Sequence, residues 1–210
     1  MKEIIFAGFG GQGVLTGGLI LAYAASNMGL DAVWLPSYGP TMRGGKANCT
    51  VKYAERPGEK VGSPSMEEAD ILIAMNEPSL DYLEFCKPDC HVFVNANAVS
   101  ENYTYPEGIT VTRLDVVDYA NRIHNIKAQN LVMLGAVIKK MGLFDESYAE
   151  QAMCKMFADK GKAKFNEANV LAMRTGFDLT IAEREIYRYE RCLQNPLHQS
   201  RFHKHEAGHF

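Results

Sequence analysis

The sequence predicts an α/β domain of three layers, α/β/α, built on a mostly parallel sheet. Three observations predict it. Short unbroken apolar runs, Ile4-Ile5-Phe6-Ala7 and Ile71-Leu72-Ile73-Ala74-Met75 among them, have the length and composition of strands buried on both faces. Stretches of helical periodicity lie between and after these runs, the alternation that produces a parallel sheet with helices on its faces. The first run also passes through a glycine-rich turn directly into a helix.

The elements follow in order. Ile4–Ala7 is the first strand, and a helix runs from about Gly13 to Met28, with Gly29 placed as its C-terminal stop. Gly17 and Gly18 fall inside that helix, where each costs roughly 1 kcal/mol relative to alanine. Close packing of the helix on the sheet is the expected compensation. Ala32–Leu35 reads as the second strand and leads into a Pro/Gly-rich loop from Pro36 to Gly45. Ala47, Cys49, Val51 and Tyr53 then alternate with Asn48, Thr50 and Lys52, the period of a strand with two different faces. Ile71–Met75, His91–Asn95 and Ile109–Thr112 complete the strands, and Pro78 suits a first helical turn.

The second half turns helical. Leu131, Leu134, Val137 and Ile138 place a helix over 129–141, closed by Gly142. Asp145 caps the next, whose apolar stripe is Ala149, Met153, Met156 and Phe157, and a third begins near Asn166. The expected division is one domain over 1–190 and a charged, His-rich C-terminal tail over 191–210. The strand order is not readable from the sequence.

Composition narrows the function. The chain of 210 residues is 47% hydrophobic and 22% charged, with a net charge of −3. That balance, without any concentration of Lys and Arg, points away from nucleic acid as a partner. The N-terminus enters a strand at once, so no secretory signal is expected. No run approaches the roughly 18 apolar residues of a membrane span, so no membrane association is expected either. The five cysteines are scattered, and only Cys86 and Cys90 lie close. Their spacing is neither a CxxC pair nor an iron–sulfur pattern. The expectation is reduced thiols in a cytoplasmic protein, some of them buried as small hydrophobes.

Gly8-Phe9-Gly10-Gly11-Gln12-Gly13 fits GxGxxG after a strand and before a helix, a Rossmann-like glycine turn. Glycines permit the turn and let a ligand approach the backbone. The helix N-terminus offers N–H groups and partial positive charge to an anion. Three readings stay open from the pattern: a structural turn, an anion or coenzyme contact, and an NAD(P) site. The last is the weakest, because the end of the second strand reads Leu35-Pro36-Ser37 where an acidic residue would hold the ribose. A P-loop is excluded, since Val14-Leu15 stands where Lys and Ser/Thr are required.

The second loop is Pro36-Ser37-Tyr38-Gly39-Pro40-Thr41-Met42-Arg43-Gly44-Gly45. Arg43 is a planar donor suited to carboxylate or phosphate, although a lone arginine is more often only solvated. Together the two loops resemble the gamma subunit, or gamma domain, of the 2-oxoacid:ferredoxin oxidoreductase family. Gly62-Ser63-Pro64, Ala69–Met75 and Asn130-Leu131-Val132-Met133-Leu134-Gly135-Ala136 add to the resemblance, which covers roughly 3–180 in order.

The resemblance implies a subunit of a complex that decarboxylates a 2-oxoacid on thiamine diphosphate, reduces ferredoxin and releases an acyl-CoA. Thiamine diphosphate, its magnesium and the iron–sulfur clusters would sit in partners: alpha and beta thiamine-binding subunits and a ferredoxin-like subunit. It implies no catalytic residue in this chain, but a contact with coenzyme A. The contact candidates are Gly8, Gly10, Gly11, Gln12, Gly13, Ser37, Tyr38, Arg43 and Gly44. The spelling of the second loop is closest to the 2-oxoglutarate type. The competing readings are a free-standing NAD(P)-binding oxidoreductase and a purely structural assembly subunit.

Other polar clusters are weighed against plain roles. Ser65 with Glu68 reads as a capping box rather than a site. Asn76 and Glu77 follow a strand at its carboxyl end, where open α/β sheets bind ligands, and are secondary candidates. The tail histidines His198, His203, His205 and His209 are read as incidental, with no structural metal expected.

Overall fold

The computed structural model describes residues 1–39, 44–63, 65 and 68–179, and for Tyr38 the backbone alone. The second-loop residues Pro40–Arg43, the boundary expected at 190 and the whole tail lie outside the described residues.

Among the described residues six strands form one sheet: β1 (Lys2–Phe9), β2 (Ala32–Tyr38), β3 (Lys46–Tyr53), β4 (Ala69–Ala74), β5 (Cys86–Asn95) and β6 (Thr110–Leu114), in the order β2-β3-β1-β4-β5-β6. β1, β4, β5 and β6 are parallel neighbours, whereas β3 runs antiparallel to both β1 and β2. The reversal has a simple cause. A return to the parallel direction needs a crossover of a dozen or more residues, and the loop from β2 to β3 spans only 39–45. The two therefore form a hairpin, and the expected mostly parallel α/β sheet carries one reversed strand.

The helices are α1 (Val14–Asn27), α2 (Val116–Arg122), α3 (Gln129–Met141), α4 (Glu146–Asp159) and α5 (residues 166–179). α1, α3 and α4 fall where periodicity places them. Gly29, at φ +78°, lets Leu30 N–H reach the Ala25 carbonyl and closes α1. Gly142 does the same for α3, with Leu143 N–H on the Ile138 carbonyl. Asp145 caps α4 by accepting from Tyr148 N–H at 3.1 Å. The short α2, capped by Asp115, gave no periodic signal over its two turns.

The two faces of the sheet are covered differently. Phe6, Cys49, Val51, Ile71, Ile73 and Phe93 bury against helices including α1, α3 and α4, forming the larger core. Ile5, Ala7, Leu72, Ala74, Val92 and Val94 face a 3-10 helix (Glu77–Phe85) and the loop before β6, through Leu80, Val99, Tyr103 and Tyr105. Pro78 sits in the first turn of that 3-10 helix, as its fixed φ favours. The capping box is a correction: Glu68 is followed at once by β4, and Ser65 N–H bonds Ser63 Oγ instead.

Candidate functional site

The site begins where β1 ends. β1 is central and buried, so its carboxyl end is fixed by strands on both sides, and Met75 N–H still bonds the Ala7 carbonyl just beyond β4. The chain turns through Gly8–Gly13 into α1. Gly11 and Gly13 have φ of +101° and +75°, backbone that other residues rarely adopt. A methyl group at Gly8 would lie 2.7 Å from Gln12 Oε1.

Gln12 organises the turn. Its Oε1 accepts from Phe9 N–H at 2.6 Å and from Asn76 Nδ2 at 3.1 Å, while its Nε2 donates to the Met75 carbonyl at 3.4 Å. Asn76 Oδ1 caps the 3-10 helix by accepting from Ser79 N–H and Oγ. Asn95 Nδ2, at the end of β5, also donates to the Met75 carbonyl. Asn130, 5% exposed at the start of α3, donates to the Gly13 carbonyl at 3.1 Å. A side chain at position 13 would collide with it. A web of neutral amides thus ties the carboxyl ends of β1, β4 and β5 to α1 and α3.

The second loop docks onto the first. Gly10 N–H donates to the Gly45 carbonyl at 2.8 Å, and Gly44 N–H donates to the Gly10 carbonyl at 3.2 Å. Residues far apart in the chain therefore form one surface. Above Gly11 and Gly44 an added methyl group would meet nothing within 4 Å, so backbone is open to approach there. α1 starts at this surface with Gly13 as its N-cap, no side-chain cap and no acidic residue in its first turn. That end of a 14-residue helix carries partial positive charge.

Of the candidates, the structure brings together Gly8, Gly10, Gly11, Gln12, Gly13 and Gly44. Ser37 is exposed at the end of β2, level with Asn48 and Ala7 but two strands from β1, roughly 10 Å at the usual strand spacing. Tyr38 pairs its backbone with Ala47, and Arg43 lies outside the described residues. Asn76 joins the web, whereas the Glu77 carboxylate turns away to accept from Ser100 N–H. Sequence reasoning missed Asn95 as a contributor and gave Asn130 no role of its own. The only signal for Asn130 was a polar residue opening an otherwise apolar helical run.

The rim is charged. Lys46, beside Phe9 on β3, pairs with Asp81 at 2.7 Å, and this contact raises the lysine pKa. Asn48 Nδ2 donates to the Tyr82 hydroxyl, which fastens the 3-10 helix to β3. Around the two loops the described polar groups include amides, backbone N–H, hydroxyls and this exposed ion pair. Such an arrangement is chemically suited to an anionic or polar group. Placing β3 between β1 and β2 also moves the end of β2 away from the glycine turn, against a dinucleotide held in the usual way.

Among the described residues no group of three or more His, Cys, Asp or Glu is arranged to hold a metal ion, and no helix is long and apolar enough to cross a membrane.

Residues 3–179 match the family described as pyruvate ferredoxin/flavodoxin oxidoreductase. The ketoisovalerate oxidoreductase subunit VorA of Methanothermobacter marburgensis is 34% identical over 178 residues, covering 84% of this chain, which itself spans only 36% of that subunit. The 2-oxoglutarate synthase subunit KorC of the same organism is also 34% identical, over 85% of this chain and 96% of its own length. The solved gamma subunit of a keto/oxoacid ferredoxin oxidoreductase from Geobacter sulfurreducens superposes with a TM-score of 0.71 at 29% identity, covering 87% of this chain and 99% of that one. The resemblance carried by the two glycine loops holds, and the chain belongs to the pyruvate ferredoxin/flavodoxin oxidoreductase family.

Proposed function

We propose that this chain is the gamma subunit of a cytoplasmic 2-oxoacid:ferredoxin oxidoreductase, with 1–190 as its gamma domain, 191–210 as a tail, and the joined glycine loops as its contact with coenzyme A. The observation that carries the reading is the pair of hydrogen bonds between Gly10 and Gly44-Gly45. They turn two separate motifs into one wall of open backbone beside the start of α1, suited to a phosphate or other anionic part of the coenzyme. Arg43, next to Gly44 in the sequence, supplies the charged contact, and Ser37 and Tyr38 are the other contacts from the second loop. Thiamine diphosphate, magnesium and iron–sulfur clusters belong to the alpha, beta and ferredoxin-like partners, where decarboxylation and electron transfer to ferredoxin take place.

The favoured substrate is 2-oxoglutarate. Supporting it, the KorC relative matches this chain over nearly its whole length, whereas VorA does so over a third. Their equal identity keeps a branched-chain 2-oxoacid as the second reading.

The test is anaerobic isolation through a tag on this chain, followed by CoA-dependent viologen reduction with a panel of 2-oxoacids. Co-purifying thiamine-binding and ferredoxin-like subunits with turnover of one acid is the expected result. In that complex Arg43→Ala should raise KM for CoA about tenfold, the loss of one charge-assisted hydrogen bond, with kcat little changed. A chain that comes down alone and supports no turnover would overturn the proposal, and an unchanged KM would remove Arg43 from the contact.

A further inference from the structure

At the opposite end of the sheet from the glycine loops, the ladder between β4 and β5 is irregular. Ala69 pairs with Cys86, yet Ile71 pairs with His91. Two steps along β4 therefore match five along β5, and the extra residues, Lys87-Pro88-Asp89, bulge outward. In a regular strand five steps span about 16 Å, whereas here they are drawn into the two-step rise of β4, about 6.6 Å. The bulge folds Cys86 and Cys90 towards each other, where a regular strand would hold them four steps, about 13 Å, apart, well beyond the Cα separation of roughly 4.4–6.8 Å that a disulfide requires.

The side chains meet as well. Both cysteines belong to the smaller core, Cys90 fully buried within it and Cys86 half-buried at its margin. Both are free thiols. Hydrogen bonding from Cys90 lowers the Cys86 thiol pKa despite partial burial. The same contact, with burial behind it, raises that of Cys90. Cys86 also bonds the Tyr82 carbonyl at 3.6 Å. The described alternatives are poorer nucleophiles: burial raises Cys49 to about 12 and also raises Cys154.

We infer that Cys86 and Cys90 form a reversible thiol–disulfide site, with Cys86 the sulfur oxidised first and Cys90 the resolving thiol. The oxidant is a hydroperoxide. The Cys86 thiolate attacks one peroxide oxygen and the O–O bond breaks. Cys86 becomes a sulfenic acid, and the departing hydroxide takes a proton to leave as water. The Cys90 sulfur then attacks Cys86 Sγ. The S–S bond forms, the S–O bond breaks, and the hydroxyl leaves with the Cys90 proton as a second water. Two thiols lose two electrons and one hydrogen peroxide gains them. A thiol reductant reverses the step. The pair is remote from the glycine loops, so the inference does not rest on the coenzyme A reading.

The experiment treats the purified full chain, or the complex that contains it, with stoichiometric hydrogen peroxide. Free thiols are then alkylated and peptides analysed by mass spectrometry with and without dithiothreitol. The expected result is joint loss of alkylation at Cys86 and Cys90 before any loss at Cys154, in a peptide lighter by two hydrogens, with both labels restored by reduction. Cys90→Ser should leave Cys86 as a sulfenic acid that a dimedone probe traps, and Cys86→Ser should leave Cys90 alkylatable. Both cysteines alkylated after peroxide, Cys86 converted to sulfinic acid in the unsubstituted chain, or a bridge to another cysteine would each overturn the assignment.

Discussion

A methyl group added at Gly17 would sit 2.2 Å from the Phe6 ring, and one at Gly18 would sit 2.3 Å from Cys49 Sγ. Those two contacts explain why a helix tolerates adjacent glycines: α1 lies directly on β1 and β3. Gly17→Ala gains roughly 1 kcal/mol of helix propensity but must push apart a packed ring, so a net loss of about 1–2 kcal/mol in urea denaturation is expected. A gain in stability would show that the helix can lift off. His91 gives a pH effect at the same scale. It stacks on Phe93, with its Nε2 2.8 Å from Thr112 Oγ1, and burial, then the nearby Lys140, lowers its pKa from 6.5 to about 4. As pH falls through that window the unfolded chain takes up a proton that the folded chain refuses, so stability falls. The expected loss is about 2 kcal/mol between pH 6.5 and 4, and His91→Gln should flatten the slope. An identical slope in the variant would place the titration elsewhere.

β1 and β3 are joined by more than their ladder. Lys52 and Glu3, directly opposite in register, form an ion pair at 3.0 Å with side chains 2% and 8% exposed. Neighbouring charges continue the arrangement, Lys87 on Asp70 at 2.6 Å and Glu3 N–H on Asp70 at 2.8 Å. Removing one member strands a buried charge, so Lys52→Met should cost about 3–5 kcal/mol by chemical denaturation. Adding Glu3→Leu should recover part of that loss, because a well-packed apolar pair replaces the ions. A double variant no better than the single one would show that packing around Lys52, not its pairing, carries the effect. The alternation in Lys46–Tyr53 was legible as a two-faced strand, but not that its second face hides a lysine. Burial of Lys52 depends on Glu3, a residue about fifty positions away that no local pattern links to it.

Across the whole molecule, the sheet order makes β1 and β4 interior and leaves β2 and β6 at the edges. Ile4, Phe6, Ile71, Leu72 and Ile73, all fully buried, lie on those two central strands. Native-state hydrogen exchange should therefore find the amides of 4–7 and 71–74 among the last to exchange, opening only with global unfolding, and those of 32–38 and 110–114 earlier. Equal protection of β2 and β1 would contradict the sheet order. The glycine turn hangs from a central strand, and the second loop joins the reversed strand β3 to edge strand β2.

By itself the sequence determined the α/β class, the places of α1, α3 and α4, the glycine turn and the family, because apolar periodicity, caps and loop spelling are local properties of the chain. Tertiary structure decided the rest. It reversed β3, since seven loop residues cannot carry a crossover, and so moved Ser37 away from the turn. It brought Gly44 and Gly45 onto Gly10, and Asn76 and Asn130 onto Gln12 and Gly13, through hydrogen bonds between residues far apart in sequence. It also drew Cys86 to Cys90 by bulging a strand. Such pairings depend on which strands become neighbours, and that is fixed when the whole core packs, not by any single stretch of residues.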